Sequence, residues 1–352
     1  GGVGSGAGFG GGGGDIFTGG GGGAGMGGAL FNHGGLLTLH NSTLVVNRAW
    51  GGNASGGDGS GFGGAIFNLN GSVSLANSTL RDNAASTDGG ALYNLRYTLD
   101  ATILDAAVTL SNTILSGNSG GGDLVNQRPA TVASGAANTG AAIATFAAPN
   151  LVGSLTNSGG SLVETVAPLL GIDPRLAALG DYGGGTATFA LLPGSPAIDA
   201  GIGCLAVDQR GVTRGAPCDL GAFESQGFSL TLGGGDNQSA LINTAFTHPL
   251  TLTVSSSYTE PVDGGQVIFT APGSGAGLSS SRFTVTVSGG AVSQAVTANG
   301  VMGSYAVTAT APGSLGSALS YTLTNQTVEI AVLGNGQVIA NGDATPSPAD
   351  HT

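Results

Sequence analysis

The chain has 352 residues, 69 of them glycine, and carries a net charge of −12 from 20 acidic residues against 8 basic ones, every one an arginine. That balance excludes the clustered cations needed to hold a nucleic acid or an anionic membrane surface. Glycine without a Gly-X-Y period excludes collagen, and a charged fraction of 8% with positive mean hydropathy excludes charge-driven disorder.

No run approaches the ~20 consecutive apolar residues of a membrane helix, so no membrane span is expected. The chain begins at Gly1 without a Met or a charged-then-apolar leader and reads as a processed or truncated product. Residues 1–26 are nearly all glycine, with isolated Phe9, Ile16, Phe17 and Met26. They are expected to form a glycine-rich coil with the aromatic residues turned inward; a flexible linker is the alternative.

Three internal repeats follow. One copy runs Gly27-Gly28-Ala29-Leu30-Phe31-Asn32, then Leu37-Thr38-Leu39 and Asn41-Ser42-Thr43-Leu44. The second runs Gly63-Gly64-Ala65-Ile66-Phe67-Asn68, then Val73-Ser74-Leu75 and Asn77-Ser78-Thr79-Leu80. The third runs Gly89-Gly90-Ala91-Leu92-Tyr93-Asn94, then Val108-Thr109-Leu110 and Asn112-Thr113-Ile114-Leu115. Each copy holds three short alternating pieces, which predicts strands stacked coil on coil with variable turns between. A helix is excluded because glycine and β-branched residues fill every window. Stacking would align Asn32, Asn68 and Asn94, and separately Asn41, Asn77 and Asn112, into ladders of side-chain amides. A role as turn formers is the second reading of the same residues.

The GGA-[LI] pieces resemble the repeats of the polymorphic outer-membrane protein family, carried by Gly28-Ala29-Leu30, Gly64-Ala65-Ile66 and Gly90-Ala91-Leu92. The family's second motif is replaced here by L-x-N-S-T, so the likeness extends to bacterial surface β-helices generally. It implies a right-handed parallel β-helix, exported and placed at the cell surface.

From about residue 120 the phrases change, ending in Leu192-Pro193-Gly194-Ser195-Pro196-Ala197-Ile198-Asp199-Ala200-Gly201, Asp208-Gln209-Arg210-Gly211 and Cys218-Asp219-Leu220-Gly221-Ala222-Phe223-Glu224. This string resembles the closing segment of CSLREA-type, choice-of-anchor surface proteins, which implies the end of a β-helix and no enzymatic activity. It is expected to cover the strand edges of the last coil. Cys204 and Cys218 read as one disulfide closing a loop of roughly 15 residues; two free thiols are the alternative. Asp208, Arg210 and Asp219 are expected to form a buried ion-pair network. Asp199 and Asp208 would instead be the acid/base pair if the chain were a glycosidase.

At Phe228 the pattern turns to short alternating runs, including Leu250–Val254, Gln266–Thr270, Phe283–Val287, Ala291–Val296, Tyr305–Thr310 and Tyr321–Thr324. They predict an antiparallel β-sandwich, and the phrasing resembles invasin-type bacterial Ig-like domains, which serve as spacers and display platforms. The remaining residues 326–352 are too few to bury a core. Their apolar positions Val328, Ile330, Val332, Val338 and Ile339 suggest a strand that adds to the sheet edge of a neighbouring subunit. The start of a further domain is the competing reading.

The fold class expected is therefore all-β: a parallel β-helix over 1–226 with its capping segment from about 120, an Ig-like sandwich over 227–325, and an extended tail over 326–352. The function expected is non-enzymatic: an extracellular structural or adhesive surface protein, with self-association, other surface proteins or a glycan as partners, and possible assembly into filaments. One alternative is a polysaccharide lyase or hydrolase, since those too use β-helices. Another is a carbohydrate- or calcium-binding module. For Ca²⁺ the candidates are Asp15, Asp58, Asp88 and Asp123, none in a ligand-like spacing, so no cofactor is expected. His33, His40, His248 and His351 have no partner at metal-ligand spacing and are assigned to turns or surface. Of the sequons at Asn41, Asn53, Asn70, Asn77, Asn237 and Asn325, the turn site Asn53 is the better glycan acceptor.

Overall fold

The computed structural model describes residues 21–54, 57–98 and 104–328, and the backbone of 330–332 and 338–340. The expectations for Phe9, Asp15, Ile16, Phe17 and His351 lie outside these residues. Among the described residues there is no helix; every regular element is a strand. The chain divides into two compact units at Gln226/Gly227, with Thr259–Pro261 belonging to the first.

The first unit is a stack of five coils built on three five-stranded parallel sheets. One sheet stacks Leu30–His33, Ile66–Leu69, Leu92–Leu95, Leu124–Gln127 and Leu155–Ser158. The second stacks Leu36–His40, Ser72–Ala76, Ala106–Ser111, Ala142–Phe146 and Ser161–Glu164. The third stacks Thr43–Val45, Thr79–Arg81, Ile114–Leu115, Leu151–Val152 and Leu169–Leu170. The register places repeat on repeat: Leu30 pairs with Ile66, Ile66 with Leu92 and Leu92 with Leu124. Two further coils lack the GGA tripeptide but keep the inward leucine and the asparagine two residues after it, at Leu124 and Asn126 and at Leu155 and Asn157. Residues 124–170 continue the stack, so the expected start of a cap near residue 120 is corrected: the GGA motif is absent there, but the inward aliphatic positions persist.

Those inward positions fill the solenoid. Ile66, Leu92, Leu124, Leu75, Leu110, Phe146, Leu80, Leu115 and Val152 are buried in one cluster, with Leu30 and Leu155 packed at its two ends. The first sheet also buries much of its outer face. Phe31 stacks on Phe67, and Phe67 on Tyr93, with centroids 5.7 and 5.5 Å apart, a row that adds aromatic contact to simple burial.

The two glycines of each GGA do different work. The first, Gly27, Gly63 and Gly89, has φ between 67° and 70°, a left-handed conformation that costs glycine little. The second is pressed against the next coil: a Cβ on Gly64 would lie 2.0 Å from the Gly90 carbonyl oxygen. The corner between the second and third sheets is turned by Asn41, Asn77 and Asn112, with φ of 46°, 47° and 50°. Asparagine is among the few residues that tolerate that region.

The second unit holds a four-stranded and a five-stranded sheet. The first orders Ala291–Gln294, Leu250–Ser255, Phe228–Leu232 and Ser314–Leu315; the second orders Gln238–Leu241, Leu319–Gln326, Gly303–Thr310, Gln266–Thr270 and Arg282–Thr286. Burial alternates along Leu250–Ser255 and Gly303–Thr310, as one-sided strands require. The Tyr321 hydroxyl donates to the Thr251 carbonyl at 2.8 Å, tying the two sheets together. Most pairings are antiparallel, but Gln238–Leu241 runs parallel to Leu319–Gln326 and Phe228–Leu232 parallel to Ser314–Leu315. This departs from the strictly antiparallel region expected; the long stretches between these partners allow the crossovers that parallel pairing needs. Ile330–Val332 pairs antiparallel with Val338–Ala340, so Ile330, Val332, Val338 and Ile339 belong to a hairpin of their own rather than to a lone strand. Val328, just before it, is exposed.

Candidate functional site

The residues with the most specific interactions lie along the solenoid and in the segment 172–226 that packs on it. Asn32 Nδ2 donates to Asn68 Oδ1, Asn68 to Asn94, Asn94 to Asn126 and Asn126 to Asn157, at 2.7 to 2.9 Å. The ladder runs unbroken through all five coils with one direction of donation. Its amides have further anchors in backbone carbonyls, as in Asn68 Nδ2 to Gly71 O and Asn94 Nδ2 to Ala106 O. Asn68, Asn94 and Asn126 are fully buried, where an unmade hydrogen bond is costly.

Asn41, Asn77 and Asn112 do not form the second ladder expected of them. With a left-handed backbone, each side chain turns away from the stack and meets the segment 202–207 instead. Asn112 Nδ2 donates to Ile202 O at 2.9 Å and Asn112 Oδ1 accepts from Ile202 N at 3.1 Å. Asn77 Oδ1 accepts from Leu205 N, and Asn41 Nδ2 donates to Val207 O. This short stretch of chain thus crosses three coils, touching one asparagine on each. The second ladder is made by Asn47, Asn83 and Asn118, at 2.8 and 2.9 Å, and ends on Asp123 Oδ1. Each of the three follows a corner asparagine at the same offset (41 to 47, 77 to 83, 112 to 118), a regularity already present in the sequence.

The segment 172–226 therefore lies along the flank of the solenoid rather than over its end, which corrects the expected cap. Thr188 Oγ1 meets Thr43 Oγ1 at 2.8 Å, Ala222 N donates to Thr79 Oγ1 at 3.0 Å, and Gly221 N donates to Asn112 O at 2.8 Å. Arg81 also lies over the Phe189 ring. The fifth-coil strands Leu155–Ser158, Ser161–Glu164 and Leu169–Leu170 end their sheets among the described residues.

Within the flanking segment, Cys204 and Cys218 are joined by a disulfide with a Cα–Cα distance of 6.4 Å. Arg210 pairs with Asp208, with Nη2–Oδ2 at 2.8 Å and both side chains buried, and its guanidinium lies 3.5 Å from the Phe223 ring centroid. Asp219 is not part of that ion pair. Its two oxygens accept backbone N–H groups of Asp199 and Ser225 at 2.7 and 2.6 Å, which corrects the three-residue network expected. Burial, and then the charge of Glu224, push the Asp219 carboxyl up to about 7. A second ion pair was not anticipated from the sequence: Arg214 Nη1 meets Glu224 Oε2 at 3.1 Å. Arg214 also donates to Asn41 Oδ1 and Gly221 O. Burial lowers the Arg214 pKa while Glu224 and Asp208 oppose the shift. Glu260, from the short stretch Thr259–Pro261 of the same unit, accepts from Ser225 Oγ and Gln226 N.

Asp199 and Asp208 are not arranged as a free acid/base pair. Asp208 is buried and accepts from Arg210, Val212 and Glu224, while Asp199 has a left-handed backbone and donates its N–H to Asp219. Asp58, Asp88 and Asp123 stand in separate turns, holding Ala54 N, Gly89 N with Gly122 N, and Asn118 with Ser154 respectively. Among the described residues no group of three or more His, Cys, Asp or Glu side chains gathers as a metal site. Of the sequon asparagines, Asn70, Asn77 and Asn325 are buried, whereas Asn53 and Asn237 are exposed.

Together these features define an all-β repeat protein in which a disulfide-closed flanking segment is fastened across stacked parallel strands. Compared with known protein families, curated proteins and solved structures, the chain matches none.

Proposed function

We propose that the protein is a non-enzymatic structural or adhesive protein of a bacterial cell surface, built as a right-handed parallel β-helix followed by an Ig-like sandwich. The observation that carries this reading is the asparagine ladder from Asn32 to Asn157, one direction of hydrogen bonding through five coils. A stack held by such a ladder and by a continuous aliphatic core resists bending and stretching, the property that a surface rod requires. The disulfide suits an oxidising, extracellular compartment. The ion pairs of the flanking segment fasten a structural element: Asp208 and Glu224 each hold backbone N–H groups as well as an arginine.

Self-association is part of the proposal. The backbone hairpin Ile330–Val332 with Val338–Ala340 supplies strand edges at the C-terminal side of the second unit, and the fifth coil supplies three parallel edges in the first. Strand addition between copies would join subunits head to tail into a filament.

Electron microscopy of the purified chain, with and without residues 326–352, tests it. Filaments with a regular subunit repeat that disappear on the deletion are the expected result. Discrete monomers that cleave a polysaccharide would replace it with the enzymatic alternative.

A further inference from the structure

We propose that the depression beside Trp50 is a binding site for a neutral saccharide. It lies beside the first two coils, and its lining residues Trp50, Gly51, Asn53, Asp58, Gly59 and Ser86 do not come from the segment 172–226. The strand Arg48–Ala49 pairs with Ala84–Ala85, and Trp50 follows it directly. The chain then makes a glycine-rich excursion and returns at Gly61–Phe62. Gly52 N donates to Gly23 O and Gly59 N to Gly52 O, both at 2.8 Å, and Gly25 N donates to Ser60 O at 2.9 Å. Gly51 N reaches Ser86 Oγ at 3.3 Å.

These bonds hold the walls of an open depression of about 490 Å³ lined by Trp50, Gly51, Asn53, Asp58, Gly59 and Ser86. That volume lies within the usual range for small-ligand sites, roughly 300–1,000 Å³. The glycines bring backbone against backbone: a Cβ on Gly51 would be 1.8 Å from Gly59 O, and one on Gly59 would be 2.1 Å from Gly23 O. The side chains that give the depression its chemistry are therefore one aromatic and three polar ones.

Trp50 is the only tryptophan in the chain, and it is 54% exposed. A large, flat, apolar ring left in water gains by being covered, and an indole keeps the advantage of rigidity when it binds. A pyranose ring presents an axial C–H face that fits the indole and a rim of hydroxyls that require hydrogen-bond partners. Asp58, Asn53 and Ser86 supply them. Asp58 Oδ1 accepts the Ala54 N–H at 3.1 Å, which orients the carboxylate, and an ionised carboxylate is a strong acceptor for sugar hydroxyls. The carboxylate also sets the charge class: with Asp58 in the wall and −12 on the whole chain, a uronic acid or sulfated sugar would meet like charge. The site stands on its own geometry and would hold equally for a monomer that forms no filaments.

The single tryptophan makes its emission a direct report of the site. The full chain, shown by intact mass to carry no glycan on Asn53, is titrated with maltohexaose, cellohexaose, xylohexaose and chitohexaose, with oligogalacturonate as the acidic comparison. A saturable shift of emission with at least one neutral probe is expected. Asp58→Asn should weaken that binding about tenfold, the loss of a charge-assisted hydrogen bond, with the melting temperature unchanged. Trp50→Ala, read by calorimetry because it removes the fluorophore, should abolish it. No response to any neutral probe at millimolar concentration, binding that survives Trp50→Ala, or tighter binding of oligogalacturonate would overturn the proposal.

Discussion

Asn68 Nδ2 lies 2.7 Å from Asn94 Oδ1, and both side chains are fully buried. Asn94 is thus the middle of a chain of amides, accepting from Asn68 and donating to Asn126 at 2.8 Å. Asn94→Ala would leave the Asn126 Oδ1 acceptor without its donor and leave one Asn68 N–H with only the longer contact to the Ala107 carbonyl at 3.2 Å. At about 1–3 kcal/mol for each unsatisfied buried group, the expected loss is about 2–6 kcal/mol. Asn32→Ala, at the end of the ladder where the side chain is half-buried, should cost about 1 kcal/mol. Denaturant unfolding of the two variants checks the ratio; equal costs would mean that the ladder adds nothing beyond local turn bonds.

The contact between Asn112 and Ile202 can be removed without straining the backbone. Asn112→Gly retains a residue suited to φ 50° and deletes both hydrogen bonds to Ile202. A loss of about 1–3 kcal/mol is expected, from two bonds of ordinary strength. The flanking segment should loosen first. Because the chain has no lysine, trypsin can cut only at its 8 basic residues, all arginine, and Arg210 and Arg214 lie in that segment. Faster cleavage at those two positions, mapped by mass spectrometry, is the expected sign.

Arg210 and Asp208 form a buried pair at 2.8 Å. Arg210→Met leaves the Asp208 carboxylate without its cation and should cost about 3–5 kcal/mol. Adding Asp208→Asn removes the orphaned charge, so the double variant should recover a large part of that loss. A double-mutant cycle by thermal or chemical unfolding measures the difference. Additive losses in the cycle would show that the two residues act independently.

Asp219 sets a pH dependence. Its carboxyl is raised to about 7, first by burial and then by Glu224, against about 3.9 in an unfolded chain. Between those values the folded protein holds a proton that the unfolded chain has released, so stability falls as pH rises. The protonated form contributes fully below about pH 4, and the contribution is gone once the pH has risen past the folded value. Melting temperature should therefore decline between mildly acidic and neutral pH and level off above. In Asp219→Asn that decline should disappear. An unchanged profile in the variant would assign the pH dependence to another group.

The repeats were legible because they are written in local chemistry. Gly27-Gly28-Ala29-Leu30 and its two counterparts specify a left-handed glycine, a close approach and an inward aliphatic residue, each readable from residue type. The last two coils were not, because Gly121-Gly122-Asp123-Leu124-Val125-Asn126 keeps the glycine pair, the inward leucine and the ladder asparagine but replaces the alanine by Asp123, and Val152-Gly153-Ser154-Leu155-Thr156-Asn157 keeps only one of the two glycines. For Asn41, Asn77 and Asn112 the turn-forming reading holds and the ladder does not, for a physical reason. Asn41, Asn77 and Asn112 recur at the same place in each coil, yet their positive φ turns their side chains outward. Asn47, Asn83 and Asn118 follow at a constant offset and align instead.

The amino-acid sequence by itself determined the coil: short alternating strands, glycine where backbones meet, and asparagine where the chain turns, since each depends on neighbours only a few residues away. The tertiary structure decided what those coils hold. Asn41 meets Val207 and Arg214 across 166 and 173 residues of sequence, and Arg210 pairs with Asp208 while Asp219 turns to backbone N–H groups. Such choices depend on where the returning chain crosses the stack and on which buried charge lies within a few ångströms, and no spacing along the sequence carries that distance.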